Sequence, residues 1–135
     1  MGRTVYVNGR YVPEEQGQIS IFDRGFLFAD GIYEVTAVVN GRFVDYPSHM
    51  ERLERSLQEI KMGWPCSKEE LRAMHQELIK LNKVDQGWVY MQITRGAADR
   101  DFKFPKDVRP TLVAFTQTKN LVDNPDAVRG VKVIT

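Results

Sequence analysis

Four arginines stand where a planar fork of N–H donors could meet an anion. Arg24 sits in an Asp23-Arg24-Gly25 turn, Arg52 in the second turn of a helical segment at the edge of its apolar face, and Arg95 and Arg100 flank a strand end. Guanidinium groups so placed suit phosphate and carboxylate. Arg55, opposite the apolar stripe of the same segment, reads as a solvated surface charge. Other chemistry-bearing types are sparse. His49 and His75 each lie alone beside an apolar helical stripe, with no ligand partner one turn on, and are expected to be partly buried and hydrogen-bonded rather than metal ligands. Cys66 precedes a helix cap but has no basic neighbour in sequence to hold a thiolate, so a structural role is expected. As the single cysteine it also excludes internal disulfides and multi-cysteine metal sites. There is no glycine-rich phosphate loop, and eighteen acidic residues single out no catalytic pair. The side chains point to anion binding and leave the reaction open.

The chain that must position these groups has 135 residues, 42% of them hydrophobic and 27% charged, proportions that suit one globular domain. A formal net charge of +1 gives no global footprint for nucleic acid or anionic lipid, so a charged ligand must be met locally. The first residues carry no apolar stretch of secretory or membrane-spanning length, and the cytoplasm is the expected compartment.

Asn8-Gly9 and Asn40-Gly41, each between β-rich runs, predict two tight hairpins, the second running on through Arg42 to Tyr46. Residues 19–31 read as a loop punctuated by Asp23-Arg24-Gly25 and Asp30-Gly31, followed by a strand from Ile32 to Val39. After Pro47 the apolar period changes from two to 3.6. Met50, Leu53, Leu57 and Ile60 form one helical face, with a capping box expected at Ser48 and Glu51 and a left-handed stop at Gly63. A second box at Ser67 and Glu70 opens another helix, striped by Leu71, Met74, Leu78 and Leu81 and reaching about Asn82, and the two helices are expected to pair. Alternation returns in residues 87–96 and again in 111–119, with a long polar loop between them. The order implies an α+β domain, an antiparallel β-sheet with two amphipathic helices on one side. Beyond Asn120 the chain reads as linker until the strand-like run of residues 131–135, where it is expected to have been cut.

Asp23-Arg24-Gly25-Phe26-Leu27-Phe28-Ala29-Asp30-Gly31-Ile32-Tyr33-Glu34, then His49-Met50-Glu51-Arg52-Leu53, then Thr94-Arg95-Gly96 with Arg100, together resemble the N-terminal domain of class IV aminotransferases. These are pyridoxal 5'-phosphate enzymes of fold type IV, and the three motifs match in order and spacing across essentially the whole chain. Within the family the D-amino-acid aminotransferases are most similar. The resemblance implies that residues 1–120 form the small N-terminal domain and 121–135 begin an interdomain linker. It implies that Arg52 binds the cofactor phosphate. Tyr33 and Arg100 match the substrate-carboxylate trap, the arginine being supplied by the neighbouring subunit of a homodimer. Where the D-amino-acid pattern has a histidine two residues beyond that arginine this chain has Phe102, which implies a less polar trap. Nothing matches the Schiff-base lysine, and the surroundings of Lys132 do not resemble its motif, so no catalytic residue is assigned and the 135 residues alone are expected to be inactive. The implied activity is transfer of an amino group between a D-amino acid, such as D-alanine, and a 2-oxo acid. An aminodeoxychorismate lyase of the same fold, or a non-catalytic fragment serving only as a fold or interaction domain, stays open.

Overall fold

The computed structural model describes residues 2–134. Asn8 and Gly9 both take positive φ, 47° and 89°, which closes the two-residue turn between β1 (Thr4–Val7) and β2 (Arg10–Pro13). A one-turn 3-10 segment, Glu14–Gln16, follows. The second turn, Asn40 and Gly41 at 51° and 66°, joins β3 (Gly31–Val39) to β4, which is only Arg42–Phe43. The expected hairpin is thus shorter than its alternating sequence, because the chain turns at Asp45 into a helix. With β5 (Gly87–Thr94) and β6 (Thr111–Thr118), the strands make one antiparallel sheet in the order β2-β1-β6-β5-β3-β4.

Period-two alternation gives the sheet two unlike faces. Thr36 and Val38 of β3, Val89, Met91 and Ile93 of β5, and Leu112 and Ala114 of β6 are buried beneath the helices. Tyr33, Tyr90 and Phe115 point the other way and stack in a row, at 5.7 Å and 4.9 Å between ring centroids. The helices behind the sheet are α2 (Tyr46–Glu59), packed on β3, and α3 (Lys68–Leu81), packed on β1, β5 and β6. They lie side by side, joined by the Lys68–Glu54 ion pair and by Tyr46 against His75. Leu53, Leu57, Leu71 and Leu78 are fully buried between helices and sheet, each contributing about 1.5–3 kcal/mol of hydrophobic stabilisation.

The expected antiparallel sheet with two amphipathic helices is therefore present, with corrections at the ends of elements. The Ser48–Glu51 box does not form. Asp45 is the N-cap in a left-handed conformation, and the Ser48 hydroxyl donates to Asp45 Oδ1 at 2.8 Å. Nor does Gly63 stop α2. Lys61, at φ 51°, takes the left-handed position while Met62 N–H closes back on Leu57 O and Lys61 N–H on Gln58 O. The Ser67–Glu70 box is fully made, but Leu81 lies exposed and Ile79 takes the last buried place on α3. Residues 24–28, read as loop, are a short helix, α1 (Arg24–Phe28), whose first turn is capped by Asp23 accepting from Gly25 N–H. In the tail no strand forms over residues 131–134. An exposed turn of helix, α4 (Pro125–Arg129), precedes them, and Thr135 lies outside the described residues.

Candidate active site

Two of the four candidate anion-binding arginines are consumed within the chain. Asp30, just before β3, accepts from Arg24 Nε and Arg95 Nε, both at 2.8 Å on the same oxygen. Burial pulls the Asp30 carboxyl up, but the bonds from Arg95 and Arg24 outweigh it and hold its pKa below the usual value. Arg95 also donates to Ile60 O at 2.8 Å, tying the end of β5 to the end of α2. Arg24 donates to Asp101 O at 2.8 Å and lies over the rings of Phe28 and Phe104. Both guanidinium groups are buried in ion pairs, so of the four candidates these two are internal clamps and not ligand-binding groups. The glycines of the two motifs serve the same junction. A Cβ on Gly25 would overlap the Thr94 side chain, and one on Gly96, at φ 103°, would overlap the Arg109 carbonyl.

Arg52 has a different setting. Glu34 falls on the helix-facing register of β3, where alternation calls for an apolar residue, and it is 2% exposed. Its carboxylate is matched from α2: Arg52 Nε donates to Oε1 and Nη2 to Oε2, both at 2.7 Å. His49 Nδ1 lies 2.7 Å from Oε2 and must be the protonated nitrogen, since a carboxylate only accepts. Burial pulls Glu34 up, yet the bonds from Arg52 and His49 leave its pKa below the usual value. The Arg52 guanidinium is shifted up by its bonds to Glu34, with a smaller contribution from the Tyr33 phenol. Arg52 nevertheless keeps 56% of its side chain exposed, and among the described residues its Nη1 takes no protein partner.

Tyr33 is 64% exposed on the opposite sheet face, stacked on Tyr90. Arg52 is held on Glu34, the residue after Tyr33, and β3 is an open edge here: β4 pairs only with Val38 and Val39, so Gly31–Thr36 have no strand outside them among the described residues. An aromatic hydroxyl and a guanidinium with a free edge are thereby brought to one unprotected margin of the sheet. Arg100 is not brought there. It lies exposed in the loop after β5, over the rings of Phe28 and Phe102 at about 5 Å, and makes no hydrogen bond or ion pair with Tyr33 or Arg52 among the described residues. Phe102 beside it is 79% exposed, and Phe26 in α1 and Phe104 in the same loop are also largely exposed.

The remaining candidates are structural, as their sequence settings suggested. His75 is buried, and its Nδ1–H donates to Leu71 O at 2.8 Å; burial drives its pKa down to about 4. Burial and the Glu70 carboxylate push the Cys66 thiol up, away from nucleophilic chemistry. Sequence reasoning missed Asp30 and Glu34, on which the two arginine clusters are built. Glu34 did carry a signal, an acid in register with Thr36 and Val38 on an inward face, which requires a cation to meet it.

The description of class IV amino-transferases matches residues 31–134. The D-alanine aminotransferase of Staphylococcus aureus strain N315 is 38% identical over 115 residues, 84% of this chain and 41% of that protein. That of Listeria monocytogenes serotype 4b is 42% identical over 133 residues, 97% of this chain and 46% of that protein. The chain thus spans less than half the length of the curated relatives it matches. Among solved structures, the branched-chain amino acid aminotransferase of Escherichia coli superposes with a TM-score of 0.84 at 14% identity, covering 94% of this chain and 43% of that one, a likeness of fold.

Proposed function

Since the chain belongs to the class IV aminotransferase family, we propose that it is the N-terminal part of an enzyme moving an amino group between a D-amino acid and a 2-oxo acid. The observation that carries this reading is the Tyr33–Arg52 margin at the open edge of β3, in a chain about 40% identical to D-alanine aminotransferases. The family's cofactor is pyridoxal 5'-phosphate, which when bound supplies the electron sink for the chemistry. The donor set fits that group. Arg52 is a permanent cation with one edge free, half exposed, and oriented by a buried acid, which suits a phosphate dianion. Tyr33 offers a hydroxyl to the substrate carboxylate beside it.

Arg100 completes that carboxylate site in the reading, but from the other subunit of a homodimer. Its loop carries uncovered apolar surface that a partner would bury, since Phe102 beside it and Phe104 further along are both exposed. Phe102 lies beside Arg100 and makes the proposed carboxylate site less polar than the D-amino-acid pattern. The nucleophilic lysine belongs, in this account, to residues beyond the 135, and the whole enzyme works in the cytoplasm. Borohydride added to the 135-residue chain with cofactor should therefore label no single lysine stoichiometrically; one-to-one labelling would place the lysine within it.

The activity is tested on the full-length polypeptide with D-alanine and 2-oxoglutarate, measuring pyruvate. The reading predicts cofactor-dependent turnover that strongly prefers the D over the L isomer. Turnover of branched-chain L-amino acids instead, or cleavage of aminodeoxychorismate without transamination of D-alanine, would contradict it.

A further inference from the structure

We propose that Glu34 is the positioning residue of Arg52: its carboxylate holds the Nε–Nη2 edge of the guanidinium so that the Nη1 side is presented to a phosphate anion. The inference rests on the phosphate role given to Arg52 above and assigns the residue that sets its geometry. Glu34 is well placed to do so. Its backbone is fixed opposite Met91 in the β3–β5 ladder, and its side chain is enclosed under α2. Both carboxylate oxygens are occupied, Oε1 by Arg52 Nε and Oε2 by Arg52 Nη2 and His49 Nδ1, each at 2.7 Å. Three short charge-assisted bonds leave the carboxylate one orientation, and a planar fork engaged along one edge inherits that plane. An arginine this exposed would otherwise sample many rotamers, and holding it before an anion arrives removes that cost from binding.

The charge of Glu34 works in the opposite sense. A carboxylate beside the guanidinium cancels much of its field, so on charge alone Glu34 weakens anion binding and its neutral replacement should strengthen it. Positioning predicts the reverse sign. His49 shares Oε2 and restrains the carboxylate further; its Nδ1 carries the proton and so takes nothing from Arg52 Nη2, 3.4 Å away.

The test follows the Arg52 Nε–Hε resonance of the 15N-labelled 135-residue chain while inorganic phosphate, pyridoxal 5'-phosphate or pyridoxal is added. The wild-type resonance should be sharp and should move with phosphate and pyridoxal 5'-phosphate but not with pyridoxal. In Glu34→Gln, phosphate affinity should fall by about fivefold or more, with the backbone amide spectrum still that of the folded chain. Unchanged or tighter phosphate binding by folded Glu34→Gln would overturn the positioning role and leave the Arg52 reading standing. A wild-type Arg52 resonance indifferent to phosphate would remove both. Should Glu34→Gln not fold, Glu34→Asp decides: it keeps the charge and withdraws the oxygens by one methylene, so weaker phosphate binding supports positioning and wild-type affinity overturns it.

Discussion

Protonating His75 would place a charge where its Nε2 has no acceptor, because Nδ1–H is already spent on Leu71 O and the ring is walled by Phe43 and Tyr46. The folded-state pKa of about 4 lies below the ordinary value of 6.5, so between these values the unfolded chain binds a proton that the folded chain does not. Stability should therefore fall as pH drops from about 6.5 to 4, by about 3 kcal/mol in all. Urea unfolding midpoints across this range measure the slope, and His75→Phe should flatten it. An equally steep slope in that variant would assign the effect elsewhere. Asp30 and Glu34 act further into acid: their folded-state values are depressed, so the stability they add is present above the unfolded-state values and disappears as pH falls through the lower folded ones. At this scale the sequence was partly legible. Arg52 and His49 stand one helical turn apart and announce a shared face, but their common acceptor lies fifteen residues or more upstream on a strand, which spacing within α2 cannot reveal.

The Asp23-Arg24-Gly25 and Thr94-Arg95-Gly96 segments form one clasp. Arg24 N–H donates to Gly96 O at 2.9 Å, Asp23 bridges Ala97, and both guanidinium groups converge on Asp30. From this junction Arg24 reaches Asp101 O, so the clasp also anchors the loop that carries Arg100. Asp30→Asn would leave two buried cations without their anion, and should destabilise the chain by about 3–5 kcal/mol. Denaturant unfolding measures the loss; a change under 1 kcal/mol would mean that the pair is effectively solvated. Trypsin cleavage at Lys103 and Lys106 should accelerate in the same variant as the loop loses its anchor. Strands and long helices were readable because period and turn chemistry agreed over many residues, as at Asn8-Gly9 and along Leu71 to Leu78. What failed was short or tertiary. α1 is five residues long and held by the clasp rather than by an amphipathic stripe, and α2 stops at Lys61 because the Leu57–Met62 closure favours it over the glycine two places on.

At the scale of the molecule, one face of the sheet and one corner of the fold lack cover. Tyr33, Tyr90 and Phe115 line the face away from the helices, and Phe22 and Phe26 at α1 and Phe102 and Phe104 in the loop that α1 anchors through Arg24 are exposed. Apolar surface gathered in this way finds partners, and a net charge of +1 opposes association only weakly. The chain should therefore self-associate in sedimentation velocity at micromolar concentration, and Phe26→Ser with Phe102→Ser should shift it toward monomer; a wild-type monomer would contradict the homodimer reading. No described helix is long and apolar enough to cross a membrane. In the proposed enzyme Arg52 serves the cofactor phosphate and Arg100 the substrate carboxylate. The measurement that decides this is made on the full-length polypeptide: the cofactor Kd and the KM for D-alanine in Arg52→Gln and Arg100→Gln. Loss of one charge-assisted hydrogen bond of about 1.5–3 kcal/mol corresponds to roughly 10- to 150-fold. Arg52→Gln should raise the cofactor Kd on that scale and leave KM nearly unchanged, while Arg100→Gln should do the opposite. Variants that move both constants together, or neither, would contradict that assignment.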